Sequence, residues 1–331
     1  MLNSFTRPSQ HWPAFERLAE RRYARDAFHP EPRCMDLAAT AHRYFIESDR
    51  GTASARVAAI VTDQQRHGQR VGMLGLYEAM PDVDPLEIRE MLEAACRYLQ
   101  DNGCGIAVGP INGSTWFDYR LSVPGGGRPF LSDVHTPDEY LGHWLQAGFA
   151  PEVHYRSTAI ENPAAPSVRR FDRRMSDQGV TVEGVGTSNF FGVLPEIHAL
   201  SLDAFAANPF FQPIDLATFR SLYAPLEHVI DPNWALIARD TEGRALGFAL
   251  AFPDLLDHER RSLVVKTVAA RRDGSANGVG IWLTNLLHQR ANQAGFDRIY
   301  HALMHEFNPS TRAHARSSRT YRQYVLLGRA L

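Results

Sequence analysis

The sequence predicts an α/β protein organised as two domains, and three observations carry that expectation. Residues 262–312 read as strand, glycine-bearing turn, helix, strand and polar turn. A hairpin, a helix, a strand and an Asn-x-Ser turn follow one another in the same order in the first half, as in an internal repeat. The chain of 331 residues exceeds one ordinary domain, and its 44% hydrophobic content supplies two cores. The polar, proline-bearing stretch 161–179 places the division near residue 165, giving domains 1–165 and 166–331.

In the first domain a helix is expected over 13–25. The runs 55–62 and 70–79 have strand composition and form a hairpin about the polar turn between them. Glu78, at the end of the second run, reads as a solvated strand-end carboxylate, the alternative being a catalytic base. Asp84 suits an N-cap, Pro85 the first helical position and Glu87 the third. The stripe Leu86, Met91, Leu92, Ala95, Cys96 and Leu99 follows, and Gly103 ends the helix. Strand 105–109 leads into Asn112-Gly113-Ser114. Only AMPDVDP, residues 79–85, separates hairpin from helix. It holds no paired glycines, so this copy predicts no phosphate cradle. Gly125-Gly126-Gly127 reads as a flexible loop, and 155–160 as a strand.

The second domain opens with strand 180–186 and helices 190–205 and 216–223, with Phe210 and Phe211 between them. Residues 240–253 correspond to 49–60 of the first copy. Strand 263–269 is a β-branched, apolar run bounded by charges. After the turn 274–280, a helix over 281–294 follows from Ile281, Trp282, Leu286, Leu287 and Ala291, with Gly295 placed to close it. Strand 298–304 runs into Asn308-Pro309-Ser310, and 321–331 is a terminal strand. His301 and His305, two strand repeats apart, are expected on one face.

Gly278 and Gly280 let backbone approach a ligand, and the helix behind them offers unpaired N–H groups with partial positive charge, which makes an anion site suited to phosphate. A dinucleotide fingerprint would need glycine where Leu283 stands, and a nucleotide-triphosphate loop would need Gly-Lys-Ser/Thr. Neither is present.

The arrangement resembles the Gcn5-related N-acetyltransferase (GNAT) superfamily, whose pyrophosphate loop reads Arg/Gln-x-x-Gly-x-Gly/Ala between a strand and a helix. Here the positions are Ser275, Ala276, Asn277, Gly278, Val279 and Gly280, with Ser in place of the leading Arg or Gln. Asn308 and Ser310 match the family's later Asn with a small hydroxylic residue. The stretch 109–121, with its flanks, is similar to tandem bacterial GNAT-like proteins. The resemblance implies two GNAT-like domains, each a mixed, mostly antiparallel sheet flanked by helices, the first degenerate. It implies acetyl-CoA or another acyl-CoA held by Val268, Ala269, Ala270, the loop 275–280, Asn308 and Ser310.

The implied activity is CoA-dependent N-acyl transfer to a small amine or amino terminus by direct attack. The alternative is a non-catalytic acyl-CoA or metabolite-binding module. Backbone groups of 264–270 would hold the thioester carbonyl. The family's Tyr, placed shortly after the Asn, is missing between Asn308 and Arg319; the candidates are Tyr321, with Tyr324, His314 or water as other proton donors, and Glu306, with His301 and His305 as other bases. Arg271 or Arg272 would replace the missing loop cation. Arg169, Arg170, Arg173 and Arg174 read as a solvated run, with contact to a CoA phosphate as the other reading. Trp116, Tyr119, Arg120 and Phe211 are candidates for the acceptor cleft.

Composition narrows the classes further. A formal charge of −2, from 35 basic and 37 acidic residues, argues against nucleic-acid or membrane partners. Cys34, Cys96 and Cys104 form no metal-like pair and suit a reducing compartment; no signal-like segment or long apolar run occurs. A cytoplasmic protein without a metal is expected.

Overall fold

The computed structural model describes residues 1–23, 42–49, 52–163, 169–228, 230–307 and 318–331. Two compact units divide the chain. Unit 1 comprises Met1–Gly126, Val134–His154 and Gln323–Leu331, and unit 2 comprises Gly127–Asp133 and Tyr155–Arg322. These differ from two contiguous halves, and residue 165 lies outside the described residues. The exchange is set by pairing, which linear patterns do not reveal: the last strand of the chain bonds into the sheet of the first half.

Unit 1 begins with β1 (Leu2–Phe5), α1 (Trp12–Glu16), α2 (Leu18–Tyr23) and β2 (Arg43–Asp49). The single helix expected at 13–25 is thus two short ones. The hairpin is β3 (Thr52–Arg66) and β4 (Gln69–Ala79). Then come α3 (Pro85–Asp101), β5 (Ile106–Gly109), β6 (Leu121–Ser122), α4 (Glu139–Gln146) and the first part of β7 (Ala150–Glu161). The last strand, β13 (Arg319–Ala330), contributes its later residues, with Leu327 opposite Gly109 and Ala330 opposite Ile106. The sheet order is β1-β2-β3-β4-β5-β13, antiparallel except for β4 with β5.

Asp84 caps α3 by accepting from the Leu86 amide at 2.9 Å, as its position before Pro85 leads one to expect. Ile88, Met91, Leu92, Ala95, Cys96 and Leu99 form the buried stripe, whereas Leu86, in the first turn, is exposed. The stripe packs on Val57, Ala59, Leu74 and Ala107 of the sheet.

Unit 2 holds the rest of β7, α5 (Arg169–Asp177), β8 (Thr181–Gly184), α6 (Phe190–Phe205), α7 (Leu216–Tyr223), β9 (Ala235–Arg239), β10 (Ala245–Pro253), β11 (Ser262–Ala270), α8 (Val279–Gln293) and β12 (Arg298–His305). The sheet order is β7-β12-β11-β10-β9-β8, with only β11 and β12 parallel. The stretch expected as a solvated linker forms α5: Met175 is buried and the Asp172 carboxylate accepts from the Trp282 indole at 2.7 Å, fixing α5 to α8. Leu283, Leu287 and Ala291 of α8 pack on Leu263, Val265 and Ile299. Burial of each leucine is worth roughly 1.5–3 kcal/mol.

Candidate functional site: the β11 turn and the start of α8

Two features of β11 shape the site. Its parallel pairing with β12 covers Ser262–Val265 against Arg298–His301 and stops there. Its antiparallel pairing with β10 continues to Ala270, with a register shift that leaves Lys266 as an extra residue between Val265 and Thr267. From Lys266 to Ala270 the strand is therefore bonded on one side only among the described residues. Val268, Ala269 and Ala270 lie in this segment.

The turn then runs from Arg271 to Gly278. Asp273 accepts from the amide of Ser275 at 2.9 Å and from its hydroxyl, and these bonds hold the Asp273 carboxyl below the usual range. Ala276 is buried, and its carbonyl accepts from the Val279 amide at 3.0 Å. Gly278 is the N-cap, with φ of 88°, a conformation glycine adopts without strain. No side chain caps α8, and its first turn carries no acidic residue. A Cβ at Gly280 would lie at ordinary contact distance, 3.6 Å from Val268 and 3.9 Å from Ala270, so its own surroundings do not demand glycine there. With the Val279 amide taken by Ala276, the next amides of α8, those of Gly280 and Ile281, meet no side-chain cap at the helix start.

The cation at this turn is one that sequence reading set aside. Arg174 of α5 is exposed, and its Nη1 would stand 3.4 Å from a Cβ built on Gly278. Arg271 does not serve, because its Nε donates to the Ala245 carbonyl at 2.7 Å. Composition could not single out Arg174 from its neighbours; only the turn of α5 does so.

No protein-family profile matches the sequence, and no curated protein matches it either. Solved structures match along the whole chain. A conserved Enterococcus faecalis V583 protein of unknown function, a probable N-acyltransferase, aligns at 12% identity with a TM-score of 0.62, covering 100% of this chain and 72% of that one. A tandem GNAT protein from the clavulanic acid biosynthesis pathway aligns at 12% identity and TM-score 0.53, covering 100% and 98%. The fold is that of the GCN5-related N-acetyltransferases. The GCN5-related glucosamine N-acetyltransferase region of a fungal multi-domain GH3 beta-N-acetylglucosaminidase also aligns, at 14% identity and TM-score 0.54; this chain spans 38% of that protein.

Within the GNAT fold the remaining expected residues scatter. Asn308, Ser310 and His314 lie outside the described residues. Glu306 is exposed in the turn after β12. Tyr321 stands on β13 against Tyr300, ring centroids 4.8 Å apart, and packs so closely on Gly127 that a Cβ there would collide with its ring. Phe211 is half-buried in unit 2. Trp116 and Tyr119 are half-buried in unit 1, where the buried Arg120 guanidinium lies 3.9 Å above the Tyr119 ring. His301 and His305 do not share a face. They stand opposite Thr158 and Tyr155, an odd number of residues apart, because a bulge with Leu303 at φ 58° interrupts the alternation.

Two side chains of interest were not foreseen. Tyr223, at the end of α7, has Thr267 on the free segment of β11 as the partner of its hydroxyl, and burial pushes the phenol up to about 12, so it is neutral. His288 of α8 meets His301, Nε2 to Nε2 at 2.8 Å, both rings buried. One ring must donate and the other accept.

Proposed function

We propose that unit 2 binds an acyl-CoA, acetyl-CoA in the first instance, and transfers its acyl group to a small amine or an amino terminus. The carrying observation is the uncapped start of α8 behind left-handed Gly278, adjoining the stretch of β11 that has left β12. The residues fit the group. The Gly280 and Ile281 amides of α8 would hold the diphosphate, and Arg174 adds a positive charge to the same turn. Backbone groups of the free segment of β11 would bond the acyl-bearing end. The Ser275 amide does not join them, since Asp273 already occupies it.

Bound acyl-CoA supplies an activated thioester. The protein's part is to place that carbonyl beside backbone donors and to keep water out. Side chains available to move protons are Glu306, Tyr321 and Tyr223. We read unit 1 as a copy whose own cofactor site is closed, supported by the Asp84 carboxylate at the start of α3.

Isothermal titration of the full chain with acetyl-CoA tests the reading. Binding is expected in the wild type, with loss of at least about a hundredfold in affinity in Gly280→Trp, whose side chain would cover the helix start. Absence of wild-type binding, or unchanged affinity in the variant, overturns it. A second reading, a binding module without turnover, is favoured by Ser275 standing where the family carries Arg or Gln and by the missing Tyr after Asn308. Release of free thiol from acetyl-CoA across a panel of amines separates the two, since a pure binder releases none.

A further inference from the structure

The helix over the free flank of β11 carries two buried polar residues, Asn285 and His288, on one side. Ile281, Asn285 and His288 follow at four and three residues and so share one side of α8. The direction of that side is fixed by its last member, because His288 bonds His301 on β12. His301 is also the final residue of β12 paired with β11, opposite Val265. Asn285 therefore sits one turn, about 4.5 Å, nearer the helix start than the point where the two strands stop pairing. Its side faces the space the strands leave. Ile281, a turn further on, is 44% exposed at the mouth of that space.

Asn285 is only 7% exposed; no hydrogen bond holds its carboxamide among the described residues, and the carboxamide is not sealed from solvent. A carboxamide in so closed a place, given no partner by the protein, is left to solvent or to a ligand. The carboxamide offers both donors and an acceptor, which suits a ligand group of the same kind: another amide.

We infer that Asn285 is the contact for the amide-bearing pantetheine arm of an acyl-CoA, between the diphosphate at the start of α8 and the thioester beside β11. This inference rests on the reading proposed above and adds to it the residue that reads the arm. The His288–His301 pair closes the space beneath, at the end of the parallel ladder. Asn285 is a binding residue, distinct from any proton donor.

The test compares two ligands on the full chain by titration: acetyl-CoA, and the nucleotide portion of CoA without its pantetheine arm. Asn285→Leu is expected to weaken acetyl-CoA about tenfold and to leave the nucleotide portion unchanged. The same variant is expected to keep the wild-type Tm, because the carboxamide holds no other part of the protein; a purely structural role would lower it. Asn285→Ala serves as the second variant and should show the same selectivity between ligands. If either variant binds acetyl-CoA as tightly as the wild type, or loses both ligands equally, the assignment fails while the site stands. If the wild type binds the nucleotide portion as tightly as acetyl-CoA, the arm lies elsewhere and the assignment also fails. A wild type that binds neither ligand removes the proposed function itself.

Discussion

The β4–α3–β5 segment of unit 1 and the β11–α8–β12 segment of unit 2 share one order of elements and differ at their ends. In unit 1 the turn Met80–Asp84 finishes on a carboxylate that caps α3. In unit 2 the turn Arg271–Gly278 finishes on a left-handed glycine, and α8 has no cap. In unit 1 the end of β5 is kept on β4: the Ile111 amide donates to the Leu74 carbonyl at 2.8 Å, and the Asn112 Oδ1 accepts from the Leu76 amide at 2.7 Å. Leu76, with φ of 52°, lies in the bulge of β4 much as Lys266 lies in that of β11. A donor that stays free of side chains in one unit is consumed by one in the other. On the same arrangement of strands and helix, unit 1 thus closes its helix start with Asp84 and its strand end with Asn112, while α8 of unit 2 carries no side-chain cap.

The largest change is expected from breaking that closure. Asn112→Ala leaves the Leu76 amide without its acceptor in a part-buried setting and should lower stability by about 1–2 kcal/mol in urea unfolding. Gly75 shows how tightly the region is built, since a Cβ there would come within 2.5 Å of the Ile111 carbonyl oxygen. The stoichiometry of acetyl-CoA binding should be unchanged, because Asp84 still occupies the start of α3. A second bound acetyl-CoA in Asn112→Ala would mean that Asn112 alone closes unit 1.

How much of this was legible follows from which signals are local. The hairpin β3–β4, helix α3 with its Asp84-Pro85 start, and α6 and α7 were readable because caps, alternation and apolar stripes are written within each element. The strands β1 and β2 were not, since LNSF and RYFIESD carry no clean alternation. In α8 the apolar stripe pointed to Ile281 and Leu286 as inward residues, yet Ile281 is exposed and Thr284, Asn285 and His288 are buried. The stripe held for Leu286, which packs on the core, and failed at Ile281, because which side of a helix turns to its sheet is set by tertiary packing. The glycine turn was found from its two glycines, but Arg174 was not singled out from a run read mainly as solvated, because it reaches the turn from α5 through tertiary packing. The two compact units differ from contiguous halves for the same reason, as β13 and β7 are assigned by long-range pairing.

A smaller effect sharpens the open side of the comparison. Unit 1 needs no cation at its capped helix, whereas Arg174 stands exposed beside Gly278 in unit 2. Arg174→Ala should raise the Kd for acetyl-CoA about three- to fivefold at low salt, and the difference should fade in half-molar salt, where exposed charges are screened. A loss that persists at high salt would point to packing of α5 on α8 rather than to charge, and Arg174→Lys would then fail to restore binding at low salt.

The smallest effect is expected at Glu78, on β4 beyond the bulge, where β11 carries no acidic residue. Glu78 was expected in solvent; instead it is half-buried and its Oε2 accepts from Tyr23 at 2.9 Å and Tyr140 at 2.8 Å. Burial raises its pKa, only partly opposed by buried Arg56 and the two phenols. A carboxyl whose folded pKa lies above its unfolded value binds its proton more tightly in the native state. Its contribution is complete below the unfolded value, about 4.3, and is lost as pH rises through the folded one. Gln keeps an acceptor for both phenols without the charge. Urea midpoints of Glu78→Gln should therefore match the wild type near pH 4 and equal or exceed it at neutral pH. A variant less stable than the wild type at neutral pH would mean that the ionised carboxylate, held by Arg56, is what binds β4 to α2 and α4, and that this unit retains a charged pocket where unit 2 has an apolar strand.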